Sequence, residues 1–158
     1  MTHDELEALV VHMQSVTPVV EELMVSTVIT SWGGFIDLTT AQRMTIMVAP
    51  IPVRVLSVDI GFDYWNLPAS STDYWTAVLE KGTNPAGFPD IATRATQNTG
   101  ANANGPIVAR TSWNFDAAEW NEDADMAKGE LLCLLWSKTG SPAALHLPMT
   151  VTTRYRPL

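Results

Sequence analysis

The chain has 158 residues, 46% of them hydrophobic, and a formal net charge of -8. That length sets one domain as the expectation, and that composition fills a core without staples. Its nine basic residues are spread singly from Arg43 to Arg156, so no cluster exists to neutralise phosphates and direct nucleic-acid binding is excluded, while the single cysteine, Cys133, excludes an intrachain disulfide.

In chain order, residues 2–15 predict a short amphipathic helix. Leu6, Leu9, Val10 and Met13 recur at three- and four-residue intervals, with Asp4, Glu5, Glu7 and Gln14 between them. Thr2 is placed to cap the start, with Glu5 three positions on as its capping-box partner, and Pro18 ends or bends the segment. So short a helix is marginal alone in water and needs a partner surface, either its own domain or a neighbouring subunit. The start is acidic rather than basic, unlike a secretory signal, and no apolar stretch approaches the roughly 20 residues that cross a bilayer. No membrane partner is expected. The division is therefore an arm over residues 1–20 and one domain over 21–158.

From residue 25 the pattern turns to strands. Between 53 and 65, Leu56, Val58, Ile60, Phe62 and Tyr64 fall on one parity and Ser57, Asp59, Gly61 and Asp63 on the other. Successive side chains of a strand point to opposite faces, so this is one buried face and one wet face. Similar stretches give eight candidate strands: 25–30, 35–38, 43–48, 53–65, 74–80, 107–116, 130–136 and 149–156. Pro50 and Pro52 bracket Ile51 and deny ladder hydrogen bonds, which suits an edge or a crossing between sheets. About eight short strands with turn chemistry between them predict an all-β, antiparallel, jelly-roll-like β-sandwich. Residues 82–105 and 117–129 read as long loops, the first with an Asn/Gly-rich tip at 98–105. Asp63-Tyr64-Trp65 returns as Asp73-Tyr74-Trp75, which suggests a hairpin with Tyr64 opposite Trp75. The same register sets Asp59 against Glu80, an unfavourable pair, so either the register is different or the two strands sit in different sheets.

Chemistry-bearing residues are few. His3, His12 and His146 lack metal-ligand spacing, and no nucleophile elbow, phosphate loop, zinc or dinucleotide motif occurs. No catalytic residue, metal or cofactor is expected. Cys133, within Leu131-Leu132-Cys133-Leu134-Leu135-Trp136, reads as a small buried thiol. Glu119, Glu122, Asp123 and Asp125 offer oxygen ligands but not the positions of a calcium loop, so a solvated loop is expected. Asp59 and Asp63 are explained as surface charges on the wet face of one strand. Of six tryptophans, Trp75 and Trp113 fall on apolar parities and belong to the core. Trp65 and Trp120 lie at strand ends beside polar loops, where an exposed ring stacks on sugars or anchors a protein.

The run Leu56-Ser57-Val58-Asp59-Ile60-Gly61-Phe62-Asp63-Tyr64-Trp65, the following Asp73-Tyr74-Trp75-Thr76-Ala77-Val78-Leu79, then Lys128-Gly129-Glu130-Leu131-Leu132, Thr139-Gly140-Ser141-Pro142-Ala143-Ala144-Leu145 and the ending Arg154-Tyr155-Arg156-Pro157-Leu158 together resemble small virion proteins of tailed phages that infect actinobacteria, of the capsid decoration (cement) type. The resemblance covers residues 53–158. It implies a non-enzymatic β-sandwich that assembles as a homotrimer on the exterior of an icosahedral head, contacts the major capsid protein and reinforces the shell. Assembly would take place in the host cytoplasm. Leu6, Leu9, Val10 and Met13 would then form a docking stripe on an arm, with Trp65 and Trp120 as further partner contacts. The alternative is a carbohydrate-binding sandwich module of a phage tail, with Trp65 or Trp120 as stacking platforms. A glycan-acting enzyme using scattered carboxylates is the weaker third reading.

Overall fold

The structure, a computed structural model, describes residues 23–29, 35–36, 41–62, 66–83, 87–100, 103–116, 120, 124–146 and 149–158. The described residues form eleven strands: β1 Leu23–Ile29, β2 Phe35–Ile36, β3 Gln42–Val48, β4 Val53–Phe62, β5 Tyr74–Gly82, β6 Asp90–Ala95, β7 Ser112–Asp116, β8 Asp125–Met126, β9 Leu131–Thr139, β10 Leu145–His146 and β11 Met149–Pro157. Every pairing between them is antiparallel. One sheet runs β1-β11-β4-β7, a second runs β3-β9-β5-β6, and β10 pairs β2 in a short ribbon. Taking only the strands of the two four-strand orders in chain sequence, the sheets read first-eighth-third-sixth and second-seventh-fourth-fifth. This is the jelly-roll connectivity, two Greek keys folded into facing sheets.

The alternation in β4 explains half of the buried face. Val58, Ile60 and Phe62 point inward as their parity predicts, but so do Val53 and Val55, which have the opposite parity. A bulge reconciles them. Arg154 of β11 faces Ser57, the next residue Tyr155 faces Val55, and Leu56 is passed over. One extra residue on one strand flips every side chain beyond it. Leu56 is therefore half-buried rather than a core residue, a correction to the single-parity expectation.

The two sheets meet through aromatic rings. Trp136 of β9 stacks on Trp113 of β7 at 6.0 Å between centroids, and Phe62 of β4 meets Trp136 edge-on at 6.3 Å. Trp113 also meets Phe115 edge-on at 5.9 Å. Leu79, Leu132, Leu134, Ile60 and Val151 fill the remaining intersheet space. Trp75 and Trp113 are both core residues, as expected, and the indole Nε1 of Trp75 donates to the Ala143 carbonyl at 2.7 Å.

Three sequence expectations need correction. Residues 82–105 are not one long loop, because β6 lies inside them and closes an edge of the second sheet. Residues 117–129 likewise contain β8, which continues β7 along the same edge of β4: β7 faces residues 57–61 and β8 faces 53–54. The two therefore lie along one edge of the first sheet. Finally, β4 and β5 do not form a hairpin. They belong to opposite sheets, which also removes the Asp59–Glu80 clash. The crossing expected at Pro50-Ile51-Pro52 is present, since β3 and β4 also lie in different sheets.

Candidate interaction surface

The strand directions sort the connections into two groups. The start of β1, the 49–52 connection, the 83–89 connection, the 127–130 turn and the end of β11 share one end of the sandwich. Residues 66–73, 96–100, 103–111 and 140–146 belong to the other end.

The first end, here the terminal end, carries most of the large apolar side chains left in water. Val48 is 55% exposed, Ile51 43%, Leu158 62% and Leu23 40%. Pro50 and Pro52 are exposed between them. Backbone bonds hold the 51–52 corner beside Leu158, whereas the register sets Val48 on the outer face of the second sheet. Leu158 N donates to Pro52 O at 3.1 Å, Ala49 N to Glu130 O at 2.9 Å, and Gly129 N to Ala49 O at 2.8 Å. Scattered exposed apolar residues are ordinary on a soluble protein, whereas a cluster of them marks a contact surface.

Cations border this cluster. Lys128 is exposed in the adjoining turn, and Arg156 lies on the outer face of β11 opposite Arg54 of β4. Arg54 is held bidentately by Asp125, Nε to Oδ1 at 2.5 Å and Nη2 to Oδ2 at 2.7 Å. Arg154 donates to Ser57 Oγ at 2.8 Å. Neither Arg154 nor Arg156 has an acidic partner among the described residues.

The outer face of the second sheet is closed rather than open. Glu80 is buried there, facing Cys133 across the β5–β9 ladder. Arg43 donates Nε to Glu80 Oε2 at 2.5 Å and Nη2 to Oε1 at 3.2 Å. This pairing holds the guanidinium pKa above its usual value. Phe88 folds back over the same face: its ring lies 5.1 Å from the Arg43 guanidinium carbon and sits where a methyl on Gly82 would be. Cys133 lies beneath, 3.6 Å from Thr45 Oγ1, and burial pushes its thiol up. A buried thiol with a raised pKa is a poor nucleophile, in line with its reading as a structural residue.

The loop end is clasped. Asp73 Oδ1 accepts from Ser141 N at 2.7 Å and Oδ2 from Thr72 Oγ1 at 2.8 Å, which lowers the Asp73 pKa. Gly140 has φ +66° and lies so close that an added methyl would strike Thr72 O and Asp73 Oδ1.

Of the predicted partner-binding residues, Leu6, Leu9, Val10, Met13 and Trp65 lie outside the described residues, as do Asp63, His3 and His12. Trp120 is partly buried against the core, with its Nε1 buried and without a hydrogen-bond partner among the described residues. Asp59 is half-exposed and accepts from Asn114 Nδ2 at 2.5 Å. His146 takes its backbone position in β10 opposite Phe35. Among the described residues, no group of three or more His, Cys, Asp or Glu is placed to hold a metal ion, and no helix is long and apolar enough to cross a membrane. Asp125, a member of the acidic run, is an ion-pair partner of Arg54. The approach of Leu158 to the 51–52 corner escaped sequence reasoning, because only the topology brings that connection beside the end of β11.

No protein-family model matches the chain, and no curated protein matches it. Among solved structures, one similar chain is described as "Structure of infectious bursal disease virus Gx strain". The likeness has a TM-score of 0.26 and 13% sequence identity, and covers 85% of this chain and 30% of that chain. The present chain thus spans less than a third of that chain's length.

Proposed function

We propose that the protein is a non-enzymatic virion structural protein, in its finer form a head decoration protein that binds the outer surface of the major capsid shell and stabilises it. The observation that carries this reading is a jelly roll whose intersheet space is filled with side chains and whose exposed large apolar residues, among those described, lie mostly at one end. A module of this kind works through its outer surface. The sequence likeness over residues 53–158 to decoration proteins supplies the class of partner. A homotrimer fits the same picture, since a closed ring buries apolar surface on every protomer. Many weak contacts repeated over a shell then give avidity that no single interface provides. The acidic net charge keeps such a protein off packaged nucleic acid.

Immunogold labelling of intact virus particles from the source that encodes the chain tests this reading. Regular label over the head exterior is the expected result. Absence of label from intact particles sinks the proposal, and label confined to the tail transfers the role to the carbohydrate-binding alternative. For the arm, a variant lacking residues 1–17 is expected to occupy empty capsids less than the full chain does. Undiminished occupancy rules the arm out as a shell contact.

A further inference from the structure

We infer that Asn104 is a self-modification site, a succinimide-forming asparagine whose loss of ammonia is held back by its grip on the end of β6. The inference goes beyond the virion reading and stands without it, because the step needs only this chain and water. The Asn/Gly-rich tip holds the single Asn-Gly pair of the sequence, Asn104-Gly105. Glycine after asparagine favours attack of its backbone nitrogen on the side-chain amide, since no side chain shields that nitrogen and the backbone turns freely. Gly105 has φ +74°, and a methyl added to it would meet nothing within 4 Å, so the pair is not packed in on that side.

The fold supplies the restraint. Asn104, half-buried, holds both backbone polar groups of Ala95, the last residue of β6: Asn104 N donates to Ala95 O at 3.1 Å, and Ala95 N donates to Asn104 Oδ1 at 3.3 Å. The nitrogen that must attack is engaged as well, since Gly105 N donates to Gln97 O at 3.2 Å. Reaction therefore requires this clasp to open, and loops open at a lower free energy than core strands. Once it is open, Gly105 N bonds to Asn104 Cγ, the Cγ–Nδ2 bond breaks, and Nδ2 leaves as ammonia with the Gly105 amide proton. Water then opens the ring. Attack at Cγ restores the main chain and leaves an aspartate, which keeps an oxygen for the Ala95 N–H. Attack at the main-chain carbonyl carbon leaves an isoaspartate. That product adds one carbon to the main chain between the bond to Ala95 and the bond to Gln97, so the two bonds cannot both be kept. Either product adds a negative charge to the loop end of a chain already at -8.

Peptide mass spectrometry on the full chain, aged at neutral pH with and without unfolding urea, tests this directly. Asn104 is expected to convert ahead of every other asparagine, and roughly tenfold or more slowly in the folded protein than in urea, because only the open fraction reacts. Urea below the unfolding midpoint is expected to speed the folded-state reaction. Gly105→Ala, compared with the wild type in unfolding urea so that folding does not enter, is expected to slow conversion about tenfold, as a shielded nitrogen requires. In the isoaspartate fraction, the Ala95 amide is expected to exchange hydrogen faster while β9 amides stay protected. Three results overturn the inference: folded protein converting as fast as the unfolded chain, another asparagine converting first, or folded Asn104 still intact after roughly a hundred half-times of the unfolded reaction. The first removes the gate, and the other two remove the site.

Discussion

Trp136 sits where the two sheets touch, fully buried, stacked on Trp113 and met edge-on by Phe62. Its Nε1 has no hydrogen-bond partner among the described residues, so the residue acts through volume and ring contacts. Trp136→Ala is expected to cost about 3–5 kcal/mol in urea-monitored unfolding. Trp136→Phe should cost clearly less, since no hydrogen bond is lost with the indole. Arg43 and Glu80 are a different case. Removing one partner leaves the other's charge uncompensated in a site that is buried on the Glu80 side. Arg43→Met should lower stability by about 1.5–3 kcal/mol, and adding Glu80→Leu should restore much of the loss. A double-mutant cycle measures the coupling, and additive effects would contradict the account. The core roles of Trp75 and Trp113 were legible from parity alone. Leu56 was not, because a bulge leaves the local alternation intact while changing which face it serves.

At the level of elements, each of the eight strands read from the sequence overlaps an observed strand, although the 107–116 stretch is a strand only over Ser112–Asp116. What escaped were β6, whose Asp-Ile-Ala-Thr-Arg-Ala offers little apolar contrast, and β8 and β10, each too short for any period to register. The repeated Asp-Tyr-Trp suggested a hairpin because nearness in sequence favours local pairing. Sheet membership is set by contacts far along the chain, to β11 and β9, which no local motif encodes. The clasp between residues 70–73 and 140–141 is an element-scale device with a pH signature. The Asp73 pKa is lowered in the folded state, so its contribution is full above the unfolded aspartate range and is lost as pH falls through the folded value. The Ser141 amide resonance is expected to titrate with a midpoint below that of an ordinary aspartate, and Asp73→Asn should flatten that titration. A wild-type midpoint at the ordinary value would remove the clasp's electrostatic role.

For the whole molecule, most contacts between the described residues join distant parts of the chain, as in any jelly roll. Such topologies form slowly, because loop closure costs entropy before long-range pairing compensates for it. Stopped-flow refolding is expected to fall in the millisecond-to-second range, and microsecond folding would contradict the Greek-key order. The fold class could be anticipated because alternation with frequent turns restricts a chain to sandwiches and barrels. The exposed residues at the terminal end could not be grouped from the sequence, because the start of β4 and the end of β11 meet only in the folded sheet.

The adjacency of Leu23 and Tyr155 has an engineering consequence. A short glycine-serine bridge from Leu158 to the start of β1 would make the polypeptide topologically circular, and it could then be reopened within residues 98–100, which are exposed. Such a circular permutant should keep the native far-ultraviolet spectrum, while its new ends emerge at the opposite pole of the sandwich and present fused cargo away from the apolar corner.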